Sequence, residues 1–474
     1  MLDKKKVVKS ISSMGLCSGV TAVISIVQLS MVARFLAPED YGIFAIPNII
    51  IGAGVAFLSG VPLGIIQRDD LKPIEMSSMQ SWVYLVAAML LIAVLFIGGG
   101  VALVTGLSDV YFLVVLMAAT LLITSMGQMH RVWLRRELLM EKIAFANVAG
   151  AVVGVLIAVL LAWHGAGYWA LAYAAVARVM VIMGLIRLRS GCPILPGASL
   201  ADARPLLKFG LSRGLDQTLS QFTSKLDQVA IGSFLGQSSL GLYNVSSNVA
   251  RRPVDLISPV LGSVMFPVYA RLRRDSEQIQ KVFDDSVRLL AVAMLSIAFL
   301  VSFMAPEIVN ILLGPKWSAA IAILTVIPFY FSLILMEAPS RQMAQAAGFS
   351  GRLLSWNLSS GLLVFVFVVP GVYLNVDLRA IALLLVLCRL ILYILSFVYL
   401  VPKSGVGWWL SLRSVFLRVV LPFALCLALW NFVLQSDGLC QRITFSIFSI
   451  LLCCSLNLRL VFDIIQQVNS SNPK

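Results

Sequence analysis

Charge is what this chain lacks most. Asp, Glu, Lys and Arg together make up 12% of its 474 residues, against 60% hydrophobic residues and a mean hydropathy of +0.95. Soluble globular domains carry about 25% charged residues, so that class is excluded. Histidine is nearly absent: His130 and His164 are the two, and neither has a sequence neighbour suited to metal or triad chemistry. The seven cysteines, at 17, 192, 388, 426, 440, 453 and 454, show no paired metal spacing and read as small apolar packing residues. No Gly-x-x-x-x-Gly-Lys-Ser/Thr loop occurs, which removes the usual basis for nucleotide hydrolysis. No cofactor and no metal are expected. A cleaved leader is not expected either, because the first apolar run is long and follows Lys4, Lys5, Lys6 and Lys9 without a small-residue cleavage pattern.

What the chain does have is apolar runs long enough to cross a bilayer as helices, which takes about 20 residues each. They fall near 11–34, 42–66, 80–104, 109–130, 143–163, 167–187, 207–233, 239–266, 285–305, 317–338, 352–374, 379–400, 411–432 and 442–463, about fourteen spans in all. The expected fold class is therefore an all-α, multi-pass membrane protein. Loops on the far side of the membrane from the N-terminus are short, so no extramembrane domain is available for a separate activity.

A net charge of +14 would suggest nucleic acid in a soluble protein. Here topology explains it, and no nucleic-acid partner is expected. By these span boundaries the basic clusters Arg131/Arg135/Arg136/Lys142, Arg187/Arg189/Arg204/Lys208 and Arg271/Arg273/Arg274/Lys281 share the side of the N-terminus, leaving Arg34, Lys316, Arg379 and Arg442 as exceptions. The positive-inside rule then places both termini in the cytoplasm.

An internal echo organises the spans. Phe35-Leu36 through Gly42-Ile43-Phe44 returns as Phe234-Leu235 through Gly241-Leu242-Tyr243, at an ungapped offset of 199 residues. Six spans per half is an even number, so the two repeats are parallel, as in transporters built around a membrane-normal pseudo-twofold axis. The expected division is 1–190 for the first six-helix bundle, 191–206 for a cytoplasmic linker holding Gly191, Pro193, Pro196 and Gly197, and 207–402 for the second bundle. Two further helices and a tail occupy 403–474. Pro47, Gly60, Pro62 and Gly64 in span two, Pro253, Pro259 and Pro267 in and after span eight, and Pro328 and Pro339 around span ten bend helices. Kinked packing and hinges for a rocking motion both fit.

One helix is wet. Span seven places Arg213, Asp216/Gln217, Ser220/Gln221, Ser224/Lys225 and Asp227/Gln228 at every third or fourth position. In span one Ser18, Thr21, Ser25 and Gln28 follow the same spacing, and the 199-residue offset sets them on Gln217, Ser220, Ser224 and Asp227. Span eight continues with Asn244, Ser247/Asn248, Arg251/Arg252 and Asp255. A charge at the bilayer centre costs roughly 2.5–3.5 kcal/mol on insertion scales, so it faces protein or water. Candidates to line a substrate cavity are Arg251, Arg252, Lys225, Gln217, Gln221, Asn248, Ser25 and Gln28. Asp227, Asp255 and Asp216 are candidates for ion coupling or for charge pairs, Asp227 with Lys225 or Arg251 and Asp255 with Arg252. Arg178, Glu337, Arg341 and Arg389 read as side chains that snorkel to an interface. Arginine grips phosphate through a planar fork whose charge never titrates, so surplus Arg and Lys among hydroxyls and amides suit a diphosphate carrying sugars.

The segment Ala33-Arg34-Phe35-Leu36-Ala37-Pro38-Glu39-Asp40-Tyr41-Gly42 resembles the start of polysaccharide transporter proteins, the Wzx-like branch of the multidrug/oligosaccharidyl-lipid/polysaccharide flippase superfamily. Lys225-Leu226-Asp227-Gln228, Ile231-Gly232, Phe234-Leu235-Gly236, Leu240-Gly241-Leu242-Tyr243 and Met265-Phe266-Pro267-Val268-Tyr269-Ala270-Arg271-Leu272 look like that family's seventh and eighth helices. The resemblance implies two six-helix bundles in a V around a cationic central cavity, plus two C-terminal helices. It implies a bacterial inner-membrane carrier that moves undecaprenyl-diphosphate-linked oligosaccharide units outward by alternating access, for exopolysaccharide, O-antigen or capsule. Polymerase and chain-length machinery of the same pathway would be partners.

Two relatives in that superfamily compete with this reading, a flippase for the peptidoglycan precursor and a cation-coupled multidrug exporter. Fourteen spans and a basic cavity argue against the exporter; the Phe-Leu-Ala-Pro-Glu-Asp-Tyr-Gly sequence argues against the precursor flippase. A membrane polymerase or ligase needs reactive groups at one face, and no His-Asp or paired-carboxylate cluster occurs in the short outer loops, so no enzyme activity is expected.

Overall fold

The computed structural model describes residues 4–67, 72–106, 108–192, 203–272, 275–374 and 376–401, together with positions 407, 409, 413 and 416. The expected spans at 411–432 and 442–463 lie outside the described residues apart from 413 and 416, as does most of the 191–206 linker. Among the described residues the chain is helical and contains no strand.

Six long helices come first: α1 (Lys4–Ala33), α2 (Pro38–Gly60), α3 (Pro73–Thr105), α4 (Ser108–Arg136), α5 (Met140–Trp163) and α6 (Tyr168–Ser190). Then follow α7 (Arg204–Thr223), α8 (Leu226–Leu272) and α9 (Ser276–Phe303), the short α10 (Ala305–Ile308), α11 (Ala320–Leu324), α12 (Ile327–Met336) and α13 (Ala338–Ala346), and finally α14 (Ser350–Tyr373) and α15 (Leu378–Leu400). Nine spans among the described residues are long and apolar enough to cross a membrane, and the apolar part of α1, Cys17–Ala33, is somewhat shorter. The α7 and α8 helices are not among the nine. Their charged and amide positions lower the hydropathy that a spanning segment otherwise shows, the physical counterpart of the stripe read in sequence.

Local chemistry sets where several helices begin. Pro38 occupies the first turn of α2, where its missing N–H costs nothing. The Ala37 amide donates to the Asp40 carboxylate at 2.8 Å, and the Lys72 amide donates to Glu75 at 3.1 Å at the start of α3. Both are the reverse half of a capping box, with the acid in the first turn where the helix dipole favours it. Prolines 328 and 339 likewise stand in the first turns of α12 and α13. They start short helices, so span ten is three helices in series rather than one bent rod.

Compact units divide the chain between Asn244 and Val245, inside α8, with the short segment Leu312–Lys316 joining the first. In the first unit α3 and α6 pack on α4, α1 and α6 pack on α5, and α2 packs on both α4 and α7. Its core is carried by Leu58, Met79, Val83, Leu113, Leu121 and Ile186, all buried. In the second unit α9 and α15 pack on α12, and α14 packs on α15. Phe283 lies 6.4 Å from Tyr269 and 6.0 Å from Phe397, ring to ring, in that unit's core.

Two glycines of the internal echo meet in space. A Cβ on Gly42 would sit 1.9 Å from the Gln237 carbonyl oxygen, and one on Gly241 would sit 1.8 Å from that of Pro38. At the 199-residue offset Pro38 corresponds to Gln237 and Gly42 to Gly241, so the contact is reciprocal. Only residues without a side chain let two helix backbones approach so closely, the device that small residues supply in membrane helix pairs.

Candidate functional site

The expected span seven is broken. Helix α7 stops at Thr223; the Ser224 amide donates to the Ser220 carbonyl at 3.1 Å and the Lys225 amide to that of Phe222 at 3.0 Å before α8 begins. Asp227 falls in the first turn of α8, is 5% exposed, and accepts the Gln228 amide at 2.8 Å and the Tyr243 hydroxyl. Sixteen residues of straight helix would separate Asp227 from Tyr243 by about 24 Å. Gly236, at φ 80° and ψ −179°, removes that distance: the chain turns there, and Tyr243 comes back beside Asp227. Glycine alone holds such a φ without strain.

The rest of the stripe varies in exposure. Arg213 pairs with Asp216 at 3.0 Å, both partly exposed. Gln217, Gln221 and Lys225 are half-buried, and Ser220 and Ser224 are exposed. In α1 the hydroxyls are spent locally, Thr21 donating to the Cys17 carbonyl and Ser25 to that of Thr21 at 2.7 Å. Ser25 is buried and Gln28 half-buried. The main helix partner of α1 is α5, whereas that of α7 is α2. The first unit thus holds Ser25, Gln28, Asp216, Gln217, Gln221, Lys225 and Asp227; the second holds Asn248, Arg251, Arg252 and Asp255.

In the second unit Arg251 Nε donates to Asp255 at 3.0 Å, and both side chains are exposed. The sequence spacing pointed to Arg252 as the partner of Asp255. A separation of four residues stacks two side chains on one helix face better than three does here, and Arg252 turns half-buried. Asn248, one turn earlier, is exposed.

A second polar centre lies inside the second unit, away from where the sequence pattern places its residues. Glu337, at the junction of α12 and α13, is fully buried and Arg389 of α15 is 7% exposed. Arg389 donates to Glu337 at 2.7 Å, the Trp356 indole donates to its other oxygen at 2.7 Å, and Arg341 stands 3.5 Å away. Glu337 and Arg389 do not snorkel to an interface, whereas the Arg341 side chain stays partly exposed. Their places near span ends suggested that they would, and nothing in sequence reveals that three helices converge on one carboxylate. His130 also has a partner that sequence missed, Ser190 at 2.7 Å, where the pair staples the ends of α4 and α6. Nearby, burial pushes the Cys192 thiol up to about 12, which suits a packing residue rather than a nucleophile.

Residues 31–322 match the model of a family described as polysaccharide biosynthesis protein. The chain belongs to that family. Teichuronic acid biosynthesis protein TuaB of Bacillus subtilis is 22% identical over 375 residues, 75% of either chain. Lipopolysaccharide biosynthesis protein WzxC of Escherichia coli is 23% identical over 309 residues, 64% of this chain and 62% of that one, less than two thirds of its length. The fold is that of a solved lipid II flippase MurJ in an inward closed conformation, with a TM-score of 0.73 at 12% identity over 95% of this chain and 99% of that one. An inward-facing multidrug resistance MATE family transporter follows with a TM-score of 0.63 at 15% identity, over 81% of this chain and 94% of that one. In this polysaccharide biosynthesis protein the family stretch takes in Asp227, Tyr243, Arg251, Arg252 and Asp255 but stops short of Glu337 and Arg389. The polar residues of α7 and α8 are therefore family territory, and the buried Glu337 centre is carried by the helices beyond it.

Proposed function

We propose that this protein is a flippase. It carries undecaprenyl-diphosphate-linked oligosaccharide units from the inner to the outer leaflet of a bacterial inner membrane by alternating access. The observation that carries the reading is the family match over residues 31–322, which spans the polar helices α7 and α8. The relatives' names support the same direction, being proteins of teichuronic acid and lipopolysaccharide biosynthesis. A succinoglycan biosynthesis transport protein, ExoT of Rhizobium meliloti, is 24% identical over 301 residues.

In this reading Arg251, Arg252 and Lys225 hold the diphosphate, with Gln217, Gln221, Asn248, Ser25 and Gln28 meeting sugar hydroxyls. A guanidinium fork matches phosphate oxygens in two places at once, and amides discriminate hydroxyl patterns. Asp227 takes up or releases the coupling cation. Its neighbour Tyr243 accommodates either state, since a hydroxyl can donate to a carboxylate or accept from a carboxylic acid. Both termini lie in the cytoplasm, and the polymerase and chain-length machinery of the same pathway receive the product.

The test is the leaflet that holds the lipid-linked oligosaccharide in cells depleted of the protein, read with a membrane-impermeant sugar-modifying enzyme. Complete units trapped on the cytoplasmic side, with surface polysaccharide lost, are the expected result. Units that reach the outer face unpolymerised would make the protein a downstream enzyme instead. The MurJ fold favours one second reading, a peptidoglycan precursor flippase. Depletion would then arrest wall synthesis and leave surface polysaccharide intermediates unaffected.

A further inference from the structure

The first unit contains a cavity of about 430 Å³, within the range of about 300–1,000 Å³ that small-molecule sites occupy. Its wall is hydrocarbon: Ala53 and Phe57 from α2, Val94 and Ile97 from α3, Phe222 from α7 and Val229 from α8. Three polar side chains reach it, Thr218, Gln228 and Ser233. The Thr218 hydroxyl is already committed, donating to the Gly214 carbonyl at 2.9 Å and lying 3.3 Å from that of Ala53. An ordered water needs about two to four polar partners, and a diphosphate needs cations. This wall supplies no cation and, beside Thr218, only Gln228 and Ser233, so sugar and phosphate are poor occupants.

An apolar cavity of this size is not indifferent to filling, because wall atoms facing empty space forfeit their dispersion contacts. Its neighbour on one side is α3, whose outer face is a bare apolar surface: Phe96, adjacent to the wall residue Ile97, is 85% exposed, and Ile97 itself is half exposed. Hydrocarbon is the medium that such a surface meets in a membrane. On the other side the wall runs into the α7–α8 break, where Phe222 and Gln228 line the cavity and Gln221, Lys225 and Asp227 interleave with them in sequence. A ligand with an apolar chain and a polar head fits that sequence of surfaces.

We propose that the cavity takes a length of the isoprenoid chain of the carrier lipid, so that the tail is gripped by the first unit while the head group lies at the polar residues beyond the α7–α8 break. This rests on the flippase reading for the choice of an isoprenoid over a phospholipid acyl chain. Between helices and lipid there is no hydrophobic driving force, since tails are as apolar as Leu. Selection must come from shape, and a methyl-branched chain fills a wide cavity better than a straight one.

The probe is a diazirine-bearing polyprenyl phosphate, photolysed with the purified full chain in lipid nanodiscs, with the labelled peptides mapped by mass spectrometry. Expected are labels within 46–57 and 218–233 that are lost in Ala53→Phe, and equally in Ala93→Phe, and that unlabelled polyprenyl phosphate removes but excess phosphatidylethanolamine does not. Labels confined to the outer face of α3 around Ile92 and Phe96, unchanged by either substitution, would overturn the proposal. So would displacement by phosphatidylethanolamine as readily as by polyprenyl phosphate. If one variant fails to accumulate, the other and the wild-type map decide. Labelling needs no transport, so a chain that labels but moves no oligosaccharide would refute the flippase reading alone, and one that transports without labelling would refute the cavity alone.

Discussion

Glu337 is held by Arg389, Arg341 and the Trp356 indole inside the second unit, where the loss of one partner strands the other. Removing one member of a buried pair costs about 3–5 kcal/mol. Glu337→Ala should therefore lower the thermal midpoint of the purified protein sharply, and the Glu337→Leu/Arg389→Met pair should restore most of it; single variants that melt with the wild type would contradict a structural role. The Arg251–Asp255 pair is different, being exposed on both sides, and such pairs contribute about 0–1 kcal/mol. Replacing Arg251 and Arg252 together by Ala should leave protein level and melting unchanged while surface polysaccharide export falls. Full export in that double variant would remove both residues from the diphosphate site. For Asp227→Asn, retained level with loss of dependence on a proton or sodium gradient is expected. A fall in level alone, which Tyr243→Phe would share, would assign Asp227 to packing.

Helix α2 and the start of the 237–272 segment are locked at Gly42 and Gly241, where a Cβ meets backbone oxygen at under 2 Å. Neither backbone can yield as a side chain would, so Gly42→Ala or Gly241→Ala should abolish folded protein in size-exclusion profiles of detergent extracts. A monodisperse, full-yield Gly241→Ala would refute the crossing. Gly236→Ala should be milder, since it forces an L-residue to φ 80° without a clash, at a cost of about 1 kcal/mol or more. These elements were partly legible beforehand. Apolar runs of bilayer length located α2 to α6, α9, α14 and α15 to within several residues, because hydropathy and length are all that a spanning helix requires. The echo of 35–44 in 234–243 announced the glycine pair, though not that the two copies touch. The α7–α8 break was not legible: Ser224 and Lys225 fit a polar stripe as well as they fit a helix end, and no proline or glycine marks the stop.

For the molecule as a whole, composition and periodicity sufficed for an all-α membrane fold, and short motifs such as Ala37-Pro38-Glu39-Asp40-Tyr41-Gly42 sufficed for the family. The site was harder to see. Stripe residues advertise themselves by spacing along one helix, as Arg213 to Asp227 do, whereas Glu337 and Arg389 are 52 positions apart and meet only after α12, α14 and α15 have packed. The apolar cavity leaves no trace in sequence at all, because its wall residues read as ordinary core. On the proposed reading these features serve transport of an amphipathic lipid, with chain and head group recognised by different surfaces. The direct test is reconstitution of the purified protein into liposomes holding a fluorescent polyprenyl-diphosphate oligosaccharide, followed by addition of an impermeant quencher. Flipping predicts that quenching proceeds beyond the outer-leaflet fraction seen in protein-free vesicles, and that Arg251→Ala/Arg252→Ala protein abolishes the excess. Quenching that stops at the protein-free level with wild-type protein, under either a proton or a sodium gradient, would contradict it.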